Sequence, residues 1–343
     1  MRIYREILKQ AWHILWSHPW LWLFGLLAAV AGNGGEYNSL LAAADRISNQ
    51  ANFLGVLKSF VAAGGMGQTW AAVADGFARA PLMFVWGIFL LAVVTLLIVW
   101  LVVVAQAALI KAAGTIDGNE PISLTQAATG GVKYFWPILW LNIVAKFFTY
   151  LLLAVAFLPF LISFLARPEV ASWSFDSLIL ISFLVSVPLW LIVSFVLKYA
   201  AIYVVLEKQT WWHALERALN LFFRNWLVSL EMAGLLFLVN IVISLIVYIF
   251  IPTDFGLQLS LLGSNWNTLA LIRVLQPALI TVAAASWYAT FSYLTWTILF
   301  RRLTAGPLVP KLVRLATDIP NYLDRWMTPT TSVPPSKPNS AKR

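Results

Sequence analysis

The sequence predicts an all-α, polytopic transmembrane helical bundle of six spans. Three observations carry that prediction. Of 343 residues, 61% are apolar and only 11% are charged, whereas a soluble globular chain carries about 25% charged residues. The mean hydropathy is +0.82. Six long stretches are almost free of charge, and a bilayer core of about 30 Å needs about 20 such residues per helix. None of them alternates with a period of two, so strands are not indicated. This composition excludes a soluble enzyme, a disordered chain and a fibrous repeat. With no cysteine in the chain, disulfides, thiolate nucleophiles and Cys-ligated zinc are excluded as well.

The spans follow in order. The first is short, at about residues 16–31. The second, 81–110, carries no charge. The third, 137–166, contains Lys146 as its one charge, and the fourth, 177–206, contains Lys198. Glu231 stands in the fifth, 227–251, and Arg273 lies near the start of the sixth, 271–300. The transmembrane domain is expected over 1–327.

Lysine and arginine placement sets the orientation, because cytoplasmic connections carry the excess. With the N-terminus inside, sixteen of the 23 basic residues fall on inner segments and four (Arg46, Lys58, Arg79, Arg167) on outer ones. Both termini are therefore expected in the cytoplasm, in the cytoplasmic membrane of a bacterium. A basic start followed by an apolar run ending Ala29-Val30-Ala31 has the features of a cleavable signal peptide. The long, Trp-rich, amphipathic segment before that run argues against cleavage.

Three segments share a layout: 8–23 (LKQAWHILWSHPWLWL), 124–139 (LTQAATGGVKYFWPIL) and 215–230 (LERALNLFFRNWLVSL). Each has an early Leu, an Ala three residues on, and a Trp eight or nine residues later: Ala11/Trp20, Ala127/Trp136 and Ala218/Trp226. The layout predicts a short amphipathic helix on the inner leaflet that turns into a span, with Trp anchoring the junction at headgroup level. Three copies of surface helix plus hairpin would make the bundle a threefold repeat. The clustered tryptophans read first as interfacial belts. Choline recognition by their faces is the less common use.

The outer loop, 32–80, contains Gly-rich runs at 32–35 and 64–67, with short amphipathic helices expected over 40–51, 53–63 and 69–80. It lacks the Lys that a phosphate-binding P-loop requires after its glycines. Past the sixth span, 308–327 reads as a cytoplasmic amphipathic segment split by Pro320, and 328–343 as a disordered tail rich in Pro, Ser and Thr. Basic residues beside spans attract anionic lipid, which accounts for the net charge of +9 without nucleic acid. No nucleic-acid-binding signature is present.

An ionisable residue inside the membrane is a functional candidate by default, since burying it is expensive. At 1.5 Å per residue, Lys146 and Lys198 both lie about 13 Å from the inner boundary, and Glu231 about 7 Å from it. Asn142 shares a face with Lys146 at i, i+4, as Ser194 does with Lys198. Lys146, Lys198, Glu231, Asn142 and Ser194 are therefore the candidate polar cluster, suited to an anionic ligand or lipid headgroup. Snorkelling lysines or a Lys–Glu pair locking two spans are the structural alternatives. The HExxH and Gly-x-Ser-x-Gly patterns are missing. His13, His18 and His213 are not spaced to share a site. No catalytic, cofactor-binding or metal-binding residue is assigned, and no cofactor is expected.

Residues 105–144 (AQAALIKAAGTIDGNEPISLTQAATGGVKYFWPILWLNIV) run from a span ending in small residues, through Gly118 and Ser123, to Trp136 and the next span. Residues 198–233 repeat this arrangement. It resembles the membrane domain attached to some bacterial glycerophosphodiester phosphodiesterases and to related multi-pass bacterial proteins. The resemblance covers about a quarter of the 343 residues. It implies a standalone membrane domain, since nothing here encodes the soluble catalytic barrel, and it carries over no catalytic residue. The function expected is a non-enzymatic membrane module that organises lipid or partner proteins, with anionic lipids as partners at the cytoplasmic face. The alternative is a transporter or lipid-handling protein using the Lys/Glu cluster.

Overall fold

The computed structural model describes residues 2–30, 64–165, 173–250 and 268–306. Within them the chain is all-helical. The helices are α1 (Arg2–Ser17), α2 (Leu21–Val30), α3 (Gly65–Arg79), α4 (Pro81–Asp117), α5 (Leu124–Lys133), α6 (Phe135–Leu165), α7 (Trp173–Leu206), α8 (Trp211–Arg224), α9 (Trp226–Phe250) and α10 (Thr268–Ala305). Four are long and apolar enough to cross a membrane: α4, α6 over Phe135–Val155, α7 over Leu184–Leu206, and α9 over Trp226–Ile249. The first and sixth expected spans coincide with α2 and α10, of 10 and 38 residues, which are not among those four. The expected helices at 40–51 and 53–63, the segment 308–327 and the tail lie outside the described residues. The helix expected at 69–80 is the latter part of α3.

Local sequence explains the boundaries. Pro81 opens α4 at a position where its missing N–H costs nothing. Past Gly118, Asn119 turns left-handed at φ 61°, a conformation Asn tolerates. Ser123 and Gln126 form a capping box that starts α5: Gln126 N donates to Ser123 Oγ at 3.3 Å, and Ser123 N to Gln126 Oε1 at 3.0 Å. One boundary differs from expectation. Trp16 and Ser17 close α1 instead of opening the first span, and the next helix begins at Leu21. His18 precedes Pro19, and a residue before proline is driven away from helical geometry.

Three long helices, α4, α7 and α10, touch one another at the centre of the bundle. Around them, α2 packs on α4 and α10, α6 on α7 and α4, and α9 on α10. The short helices each lie on a central one: α5 on α4, α8 on α7 and α1 on α10. Each does so through an alanine of zero exposure, Ala127, Ala218 and Ala11.

Among the described residues, burial is concentrated toward one end of the bundle. Leu82 and Met83, near the start of α4, are 76% and 79% exposed, while Ala107, Ala108 and Leu109 are completely buried. At the packed end an ionic knot joins α1, α4 and α10. Arg301 Nη1 lies 2.9 Å from Asp117 Oδ2 and donates to Gly114 O at 2.9 Å, while Gln10 Nε2 donates to Asp117 Oδ1 at 2.5 Å.

Hydrocarbon supplies no hydrophobic drive for helices to associate, so close backbone approach at small residues matters. A Cβ on Gly131 of α5 would overlap the Val104 carbonyl of α4, whereas one on Gly130 would meet only the flexible Lys111 side chain, at 3.2 Å. Gly131→Ala is expected to destabilise by about 1–3 kcal/mol, and Gly130→Ala to stay within about 0.5 kcal/mol of wild type. Thermal unfolding of both variants in detergent tests this, and equal melting would refute the close approach.

Candidate functional site

Between α4, α6, α7 and α10 lies a cavity of about 180 Å³, on the packed half of the bundle. The i, i+4 register puts Asn142 and Lys146 on its wall from α6, and Ser194 and Lys198 on its wall from α7. Four of the five candidate residues thus meet in one space. Glu231 does not line it. Glu231, on α9, is half-buried.

Two lining residues escaped the sequence reading. Gln106 of α4 is 3% exposed and Trp296 of α10 is 2% exposed. Gln106 Oε1 accepts from Asn142 Nδ2 at 2.8 Å, which ties α4 to α6. The Lys198 ammonium stands 4.9 Å from the centroid of the Trp296 ring, a favourable cation–π placement. Gln106 could have been found as the one amide in the 81–110 stretch, where Thr95 is the other polar side chain. Trp296 offered no such signal among 18 tryptophans.

The hydrogen-bond inventory singles this cavity out. Three buried threonines of α10 are satisfied by their own helix: Thr290 Oγ1 donates to Ser286 O, Thr295 to Phe291 O and Thr297 to Tyr293 O, each at 2.8 Å. Tyr199 and Ser229 join across α7 and α9 at 2.8 Å. Among the described residues, three buried side-chain atoms have no hydrogen-bond partner: Gln106 Nε2, Ser194 Oγ and Trp296 Nε1. All three belong to residues lining this cavity. A buried polar group without a partner costs about 1–3 kcal/mol, and each such group calls for an explanation.

The lining includes two lysines and no acidic residue. Lys146 is exposed as well as lining, and Lys198 is half-buried, so the cavity opens to the bundle's outer surface beside Lys146. Its volume is far above the ~10–15 Å³ one water requires and below the ~300 Å³ at which drug-sized pockets begin. It suits the polar head of a molecule rather than a whole one.

No family model, curated protein or solved structure matches the chain.

Proposed function

We propose that this is a non-enzymatic, lipid-handling membrane protein that takes a polar headgroup from the bilayer into the cavity between α4, α6, α7 and α10. The carrying observation is the convergence of three partnerless buried polar atoms with Lys146 and Lys198 on one opening. A tail remaining in the bilayer fits the lateral opening beside Lys146. It also fits a volume too small for the whole amphiphile.

The architecture proposed around that cavity has six spans, with α2 and α10 added to the four apolar helices, and both termini in the cytoplasm of a bacterial inner-membrane protein. The unit is a short helix on the inner leaflet followed by a hairpin, repeated three times. Its support is the shared docking of α1, α5 and α8 through Ala11, Ala127 and Ala218. Trp12 and Trp212, 50% and 62% exposed, would face anionic headgroups with the basic residues of these helices. Kinship with the membrane domain of the glycerophosphodiester phosphodiesterases belongs to the same proposal, supported by the Gly118–Ser123–Ala127–Trp136 arrangement.

Native mass spectrometry of the full chain, purified gently and then progressively delipidated, tests the cavity. Wild type is expected to keep one lipid after annular lipid is stripped. Ser194→Leu, which fills the cavity with apolar volume, is expected to remain folded and lose it. Identical lipid retention in the two proteins would remove the cavity from the function.

A further inference from the structure

The donors around the cavity define the head it receives. Gln106 Nε2 and Trp296 Nε1 can only donate, and Ser194 Oγ can donate as well. Two ammonium groups join them, and no carboxylate lines the space. The lining is thus built to be met by acceptor oxygens bearing negative charge. Zwitterionic heads bring an ammonium group that the two lysines would repel. A planar carboxylate would present two oxygens in one plane. The donors instead come from four helices: Gln106 from α4, Lys146 from α6, Ser194 and Lys198 from α7, and Trp296 from α10. That distribution suits a tetrahedral oxyanion.

Charge refines the choice. A phosphate monoester carries about −1.5 to −2 at neutral pH, its second pKa being ~6, against −1 for a diester. Lysine is a point-charge phosphate binder that needs no bidentate geometry.

We propose that this cavity is a phosphomonoester site, formed by Gln106, Ser194, Lys198 and Trp296 with Lys146 at its mouth. It takes a terminal phosphate carried on an apolar tail. The assignment rests on the headgroup reading of the cavity and narrows it to one chemical class. Lys198 swings from the Trp296 ring to the phosphate, and the indole N–H and Gln106 amide complete the oxygen shell.

The test uses the purified full chain in detergent, titrated in native mass spectrometry with dioctanoyl phosphatidic acid, phosphatidylglycerol and phosphatidylcholine. Inorganic phosphate serves as competitor. Phosphatidic acid should bind at least about tenfold more tightly than the other two, the span of one charge-assisted contact. Lys198→Met and Gln106→Leu should each remove about that factor. The exposed position makes Lys146→Gln safe for folding, and it should weaken phosphatidic acid more than phosphatidylglycerol. The surface variant Lys133→Gln should change nothing. Displacement by millimolar inorganic phosphate would support the oxyanion site and assign it to the free anion, whereas resistance assigns it to the lipid.

Equal binding of all three lipids, still lost in Lys198→Met and Gln106→Leu, would overturn the phosphomonoester assignment while leaving the headgroup cavity standing. If none of the cavity variants alters lipid binding, both fall. An equal loss in Lys133→Gln would show general surface attraction and overturn the assignment.

Discussion

Arg301→Ala is expected to be among the most destabilising single changes in this protein, costing about 3 kcal/mol and more than Asp117→Ala. Asp117 is the last residue of α4, and its side chain is 8% exposed. A carboxylate at a helix C-terminus faces the negative end of the helix dipole, so it depends on the guanidinium 2.9 Å away and on the Gln10 amide. Removing Arg301 leaves that carboxylate buried, badly placed and short of its counter-charge, the situation that costs about 3–5 kcal/mol when a buried pair is broken. The 39% exposure of Arg301 brings the expectation to the lower end of that range. Removing Asp117 is milder. Arg301 keeps its hydrogen bond to Gly114 O, and a cation at a helix C-terminus is favourably placed. The double change should cost less than the two singles together, with a coupling of about 1–2 kcal/mol. Reversible unfolding of the four proteins in mixed micelles measures this cycle. Strict additivity, or Asp117→Ala exceeding Arg301→Ala, would contradict the account. Because the knot joins residues 10, 117 and 301, its loss should also free α1 first, seen as early hydrogen exchange in α1.

How far the site was legible follows from which geometric quantity sequence spacing encodes. Spacing gives depth and the shared face of two residues on one helix. Asn142 with Lys146, and Ser194 with Lys198, are therefore readable as pairs. What it leaves open is which face of a uniformly apolar helix turns inward. Helices α4, α6 and α7 are greasy all round and supply no amphipathic direction. Glu231 had a suitable depth but is not among the residues that line the cavity. Gln106 does line it but carries no charge, and Trp296 was hidden among tryptophans that read as interfacial anchors.

The same reasoning explains the boundaries. Long apolar runs with one charge each place α6, α7 and α9 within a few residues, and α4 continues seven residues past its expected end because Lys111 sits on a helix still packed against α5 and α7. At the N-terminus, apolar character alone runs through Pro19, while the backbone breaks there.

Ala11→Leu, Ala127→Leu and Ala218→Leu are expected to destabilise by similar amounts, about 1–3 kcal/mol each, as overpacking of a closed interface does. These alanines have zero exposure and sit where α1, α5 and α8 lie on α10, α4 and α7 respectively. Their short side chains let each short helix approach a long one closely, and a leucine must push the pair apart. The exposed Asn220 of α8 provides the control: Asn220→Ala should remain within about 0.5 kcal/mol of wild type. Each leucine should act locally, lowering hydrogen-exchange protection in its own pair of helices first. Ala11→Leu should loosen α1 from α10, Ala127→Leu α5 from α4, and Ala218→Leu α8 from α7. The expectation rests on treating the three junctions as one solution used three times. A leucine tolerated at one junction and damaging at the other two would break that equivalence, because the same fully buried alanine would then be doing different work in a different setting. Equal costs with distinct local footprints would instead carry the repeat from shared letters in the sequence to a shared packing requirement in the membrane.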